Sequence, residues 1–186
     1  MRDLLNNYFN KVKHFSKESE ILQKLVISLA VQGKLINKKS TSESAKNLLN
    51  EIKKEKKFLI KKGEKILLSS FDQKLLIPFK IPKNWEWSSL GEICSYIQRG
   101  KSPKYALKGP KVISQKCIQW SGLDLSVAKF IENESLAKYK KEQFLKVGDL
   151  LWNSTGTGTI GRVLKVNNLE EKLVCDSHVT ILRCLK

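Results

Sequence analysis

Residues 147–162, Val-Gly-Asp-Leu-Leu-Trp-Asn-Ser-Thr-Gly-Thr-Gly-Thr-Ile-Gly-Arg, crowd an amide, hydroxyls and glycines between two apolar runs. Asn153, Ser154, Thr155 and Thr157 offer hydrogen-bond donors and acceptors, while Gly156, Gly158 and Gly161 allow the backbone to approach another molecule closely. The three glycines also satisfy the spacing G-x-G-x-x-G, and Asp176 follows where a ribose-binding acid would stand. Dinucleotide binding needs a helix opening at the third glycine, so that its N-terminus meets the pyrophosphate. The residues after Gly161, Arg-Val-Leu-Lys-Val, alternate as a strand does. A strand, an exposed turn and a second strand are therefore expected, with Leu150 to Trp152 in the first and Ile160, Val163, Leu164 and Val166 in the second.

A second group of residues has a different chemistry. Between Gln98 and Trp120 stand Arg99, Lys101, Lys104, Lys108, Lys111 and Lys116 and no acidic residue. Over the whole chain 35 Lys and Arg face 18 Asp and Glu, a formal net charge of +17, which favours a polyanionic partner. Lysine and arginine neutralise phosphates, while amides and hydroxyls can pair with base edges. Lys101, Lys104, Lys111, Lys116 and Arg162 are thus the phosphate or guanine candidates. Gln115, Gln119, Asn153, Ser154 and Thr155 are the base-edge candidates, with Ser102, Tyr105, Thr157 and His178 completing the set. His178 beside Asp176 and Ser177 invites a hydrolase, but no oxyanion hole accompanies it, and no catalytic residue is assigned.

The four cysteines, Cys94, Cys117, Cys175 and Cys184, have no C-x-x-C pairing and no histidine at ligand spacing, so they are expected to be reduced, mostly buried thiols without a metal. The N-terminus carries charges throughout, and no apolar run approaches a membrane span, from which a cytoplasmic protein without membrane attachment is expected.

Two helices are expected to precede this region. Leu5, Tyr8, Val12, Phe15, Ser19, Leu22, Val26 and Leu29 recur at steps of three and four, a coiled-coil-like seam. Ser16 could cap a second helix within it, so one helix or two remain open. Gly33 suits the C-terminal end. A further helix is expected from after Ser42 through Ala45, Leu48, Leu49, Ile52, Lys56 and Leu59 to Gly63. The hairpin's apolar positions Leu22, Val26, Leu29, Leu48 and Ile52 are the partner-binding candidates. Pro78 and Pro82 then break the helical period. The expected fold is α+β: a helical hairpin over 1–63, a linker over 64–80, and a mixed, mainly β domain over 81–186. Its opening, with Trp85, Trp87, Leu90 and Ile93, is expected to be core. Residues 123–146 are expected as a loop with a short helix, and 173–183 as one closing strand.

Ile21-Leu22-Gln23 through Ala30-Val31-Gln32-Gly33-Lys34-Leu35, Ile81-Pro82-Lys83-Asn84-Trp85-Glu86-Trp87 with Leu90-Gly91-Glu92-Ile93, and Gly148-Asp149-Leu150-Leu151 with Gly156-Thr157-Gly158-Thr159-Ile160-Gly161-Arg162 resemble the specificity subunit of type I restriction-modification enzymes. Gly100-Lys101-Ser102-Pro103-Lys104-Tyr105, Gln115 to Trp120 and Asp176-Ser177-His178-Val179 are similar to one variety of its target recognition domain.

The resemblance implies a non-catalytic subunit that reads duplex DNA and directs adenine methylation and cleavage by partners. It implies no cofactor on this chain, S-adenosylmethionine on methyltransferase subunits, and ATP with Mg on a restriction and translocase subunit. It assigns Ile21 to Lys62 to spacing and methyltransferase docking, and Trp85 to Lys186 to recognition. Such subunits carry two recognition domains, and this sequence is expected to end inside or just after the first. A half-subunit, a truncated frame, or a self-associating copy that restores two-fold geometry are the alternatives. A nucleotide-dependent transferase using Gly156, Gly158 and Gly161, or an assembly module that binds no DNA, are the competing functions.

Overall fold

The computed structural model describes residues 16–35, 44–66 and 77–185. The seam positions Leu5, Tyr8, Val12 and Phe15, the helix start at Ser42 and most of the expected linker lie outside the described residues. The fold is α+β, with helices first and a mainly β region after them. The chain divides into two units, residues 1–48 with 72–87, and residues 49–71 with 88–186.

The first unit holds helix α1, Ser16–Val31. Leu22, Val26 and Leu29 are half-buried on it, and Ile21, Leu25, Ile27 and Val31 are exposed. Gly33 ends the helix at φ 67°, where its N–H donates to Ala30 O and the Lys34 N–H to Leu29 O, so the last carbonyls are satisfied. Pro82 packs so tightly over Gly33 that a Cβ there would overlap its ring, with Trp85 alongside. The spacing between Gly33 and the Pro82–Trp85 turn is thus one packed corner, closed by the Trp85 N–H donating to Pro82 O at 3.0 Å. Phe79 meets Trp87 edge to face at 5.1 Å.

The second unit takes most of helix α2, Ala45–Lys61. Ile52 is buried, and Lys56 reaches inward to donate from Nζ to Gly91 O at 2.6 Å and Glu92 O at 3.2 Å. Lys53 pairs with the Glu92 carboxylate at 3.4 Å. The ammonium of Lys56, satisfied by two backbone carbonyls, ties this part of the helix to the β region. Those carbonyls belong to helix α3, Leu90–Ile93, whose N-cap Ser89 accepts the Glu92 N–H at 3.1 Å. Leu90 opens that helix 51% exposed, so it is not core as expected; Trp85, Trp87 and Ile93 are half-buried.

Strands follow in the order β1 Cys94–Arg99, β2 Tyr105–Ile113, β3 Ile118–Gln119, β4 Gly122–Leu123, β5 Lys129–Ile131, β6 Leu150–Asn153, β7 Val163–Lys165, β8 Val174–Cys175 and β9 Val179–Cys184. An antiparallel sheet runs β1-β9-β6-β7; a second sheet runs β5-β2-β8, with β2 and β8 parallel; β3 and β4 form a hairpin. Helix α4, Asn133–Ala137, lies in the 123–146 stretch where a short helix was expected. Ile113, Ile118, Leu151, Leu173, Cys175, Val179 and Ile181 build the main core from both sheets and the hairpin.

Two strand expectations needed correction. The segment 173–183 is not one strand: it breaks at Asp176–His178, where Asp176 Oδ1 accepts the His178 N–H at 2.9 Å and competes locally with the ladder. Ile160 is not in a strand but in the turn, 64% exposed. Cys94, Cys117 and Cys175 are buried and Cys184 is exposed, all as free thiols. Burial pushes the Cys94 thiol up to about 12, with a hydrogen bond to Cys184 Sγ at 3.5 Å adding to it.

Candidate functional site

At the end of β1 the chain crosses directly over β8. Gly100 donates to Val179 O, Lys101 N–H donates to Cys175 O, and a Cβ on Gly100 would collide with the backbone carbonyls of Cys175 and Asp176. Only glycine permits this approach. It brings Arg99 Nε to Ser177 O at 2.8 Å and Ser102 Oγ to Ser177 Oγ at 2.9 Å. The start of the cationic segment is thereby fixed to the Asp176–His178 corner.

The glycine turn between β6 and β7 is fixed to the same corner. His178 Nδ1 lies 3.0 Å from Thr155 Oγ1, and Thr180 Oγ1 donates to Ser154 Oγ at 2.7 Å. The other side of the turn is held by the 3-10 turn Gln115–Cys117: Asn153 Nδ2 donates to Gln115 O at 3.0 Å and to Thr159 O at 3.2 Å, and Thr159 Oγ1 donates to Gln115 Oε1 at 3.1 Å. Gly156, at φ 114°, sits so close to Gln115 Oε1 that a Cβ would overlap it. Farther along, Arg162 Nη1 donates to Gln119 Oε1 at 2.8 Å and Ile118 O at 3.2 Å, and Gln119 Nε2 donates to Lys116 O at 2.7 Å. Lysine-rich segment and glycine turn, separate in sequence, thus form one surface.

The structure sorts the candidates. Lys101, Ser102, Gln115, Gln119, Ser154, Thr155, Arg162 and His178 belong to this network, with Lys116 and Thr157 exposed on its turns. Lys101 also donates from Nζ to Lys138 O at 3.3 Å, beside the Tyr139 ring. Lys104 and Tyr105 belong to the β2–β5 edge: Lys104 N–H donates to Ser135 Oγ, and Lys129 Nζ lies 4.7 Å over the Tyr105 ring. Lys111 is paired with Glu171 at 3.3 Å. Asn153 is 0% exposed, and its amide braces the turn. Ile52 is likewise buried within this chain, whereas Leu48 is exposed. Arg99, Gly100 and Ser177 carry as much of the geometry as the named candidates; in the sequence they stood only as members of the cationic stretch and of the Gly100–Tyr105 and Asp176–Val179 motifs.

Nor do the competing chemistries find their parts here. The strand β7 stands where a dinucleotide site needs a helix N-terminus. His178 turns its ring to Thr155 and its backbone N–H to Asp176, which is not the arrangement of a charge-oriented base on Ser177. Among the described residues no helix is long and apolar enough to cross a membrane, and no group of three or more His, Cys, Asp or Glu could hold a metal ion.

Asp176 is 3% exposed, and burial raises its carboxyl above the usual range despite the His178 N–H, His178, Lys129 and Arg99. In the folded chain it therefore keeps a proton that the unfolded chain releases near about 3.9, so it lowers stability as pH rises through the folded value. Asp176→Asn keeps the acceptor for His178 N–H and removes the buried charge. The variant is expected to be more stable than the parent at neutral pH, the difference vanishing in acid below both values; urea unfolding at the two pH values measures it.

No family model matches the sequence. Among curated proteins, the type I restriction enzyme EcoEI specificity subunit of Escherichia coli is 32% identical over 104 residues, covering 53% of this chain and 17% of that protein. The EcoAI specificity subunit of the same organism is 32% identical over 107 residues, covering 52% of this chain and 18% of that protein. The chain is thus similar to type I specificity subunits over about half of its own length, and the match spans less than a fifth of theirs.

Proposed function

We propose that this chain is the DNA-reading, non-catalytic part of a type I restriction-modification enzyme, with the surface formed by the cationic segment and the glycine turn as its duplex contact. The observation that carries the proposal is the hydrogen bonding of Gln115 to Asn153 and Thr159, which joins the two segments the sequence marked separately. The likeness to two specificity subunits supports it. On this proposal Lys101 and Lys116 neutralise phosphates, while Arg162, held by Gln119, reads guanine. Adenine methylation with S-adenosylmethionine and ATP- and Mg-dependent cleavage belong to partner methyltransferase and restriction subunits. The row Leu22, Val26 and Leu29 with Leu48 supplies a docking surface for the former, and a second copy or second half-subunit would supply the other half-site.

A gel shift against random duplexes, with sequencing of the bound fraction, tests the proposal. Enrichment of one short sequence supports it; retention of every duplex alike, or of none, overturns it. Within the enriched site, Arg162→Ala is expected to relax choice at one base pair by about 1–3 kcal/mol. Lys104→Ala, at the β2–β5 edge, is expected to weaken all sequences alike and to lower the salt slope by about one.

A further inference from the structure

The hairpin β3–β4 is anchored through both of its strands, and its turn residues Trp120 and Ser121 are exposed. Ile118 is fully buried, Leu123 packs on the main core, and Gln119, opposite Gly122, is tied at both ends of its amide to Lys116 O and Arg162. Gly122 takes φ 140°, a conformation that L side chains avoid, so the turn at Trp120 and Ser121 is built rather than loose. On this support Trp120 stands 78% exposed, the most exposed aromatic among the described residues.

Its surroundings specify what could cover it. Trp120 ends the stretch of six cations without an acid, and Lys116 is exposed on the turn leading into its hairpin. The guanidinium of Arg162 holds the residue before it. The nearest acid in the chain, Asp124, spends Oδ1 on the N–H and hydroxyl of Ser126 at 2.9 and 2.6 Å. A rigidly presented indole among cations fits a ligand with anionic edges and flat apolar faces inside, which is a nucleic acid.

Resting on the DNA-binding proposal above, we propose that Trp120 is a wedge: its indole enters the bound duplex, stacks on a base and opens one base step. The contact through phosphates and hydroxyls positions the duplex, and the wedge reads how easily a step unstacks.

The test uses the full chain and a short duplex recovered from the random pool. Fluorescent analogues, 2-aminopurine for adenine and pyrrolocytosine for cytosine, replace one base at a time so that every base pair is probed. Wild type is expected to brighten analogues at one step. Trp120→Ala is expected to abolish that signal and to weaken binding about five- to hundredfold, with unchanged thermal unfolding, whereas Trp120→Phe keeps most of both. If wild type binds but no position brightens, or if Trp120→Ala binds and brightens as wild type does, the wedge is overturned while the DNA-binding proposal stands. If wild type binds no duplex, both fall.

Discussion

Arg183→Ala is expected to lower the stability of the β-bearing unit by about 3 kcal/mol, near the lower end for breaking a buried pair because the arginine retains some exposure. Arg183 donates from Nε to Asp149 Oδ1 at 2.8 Å and from Nη2 to Asp149 Oδ2 at 2.7 Å, a two-point fork. The same guanidinium satisfies Phe144 O at 3.0 Å and Glu142 O at 3.3 Å, and lies 5.3 Å over the Tyr96 ring. Its partner is the more costly group to strand: the Asp149 side chain is 1% exposed, and among the described residues its only other acceptor contact is the Lys146 N–H at 2.8 Å. Alanine leaves the buried carboxylate uncompensated, with only the Lys146 N–H on it among the described residues, and takes the guanidinium from two carbonyls, and the central strand β9 loses its tie to the loop that leads into β6. Lysine, with its charge but no fork, should recover only part of the loss. The double replacement Arg183→Met with Asp149→Leu should cost less than either single truncation, because no charge is then left unpaired. Urea unfolding of the parent, Arg183→Ala, Arg183→Lys, the single replacements Arg183→Met and Asp149→Leu, and their double measures this. Single losses below about 1 kcal/mol would show the fork to be peripheral to stability.

Those interactions also explain what was legible in the sequence. The run Leu150 to Trp152 forms β6 and the glycine turn after it is a turn, because alternating apolar residues and glycines act through local backbone preference. The Gly33 cap is local in the same sense. Arg183 and Asp149 are 34 positions apart, and nothing in either neighbourhood announces a partner. The break at Asp176 was hidden because a short acidic side chain can sit in a strand or bind its own backbone two residues on, and only the crossing of Gly100 over that backbone decides. The β3–β4 hairpin has two residues in each strand, too few for a period to register. On helix α2 Lys56 stood among the recurring seam positions, but its partners did not show: it turns inward, where burial lowers its affinity for a proton, and two carbonyls some 35 positions away hold it.

The candidate site was legible as a set of residue types and not as a set of roles, and Asn153 is where the two diverge most. An amide that could pair with adenine can equally close a turn, and full burial decides for the turn. Asn153 Nδ2 serves the carbonyls of Gln115 and Thr159, and its Oδ1 has no hydrogen-bond partner among the described residues. Asn153→Ala should therefore cost about 1–2 kcal/mol by removing two hydrogen bonds to carbonyls that each keep one backbone donor, Ile118 N–H on Gln115 O and Arg162 N–H on Thr159 O, with little dependence on pH. Asn153→Asp should cost more at neutral pH, about 3 kcal/mol, since it sets a buried carboxylate against two carbonyl oxygens. Burial raises the folded value of that introduced acid above its unfolded one, so its penalty grows as pH rises through the folded value and is relieved in acid, where the carboxyl again has a proton to donate. Urea unfolding across pH distinguishes the two variants. In binding, both should weaken every duplex together, because Ser154, Thr155 and Gln115 lose their shared support. Unchanged stability with a relaxed sequence choice would instead return Asn153 to the reading surface.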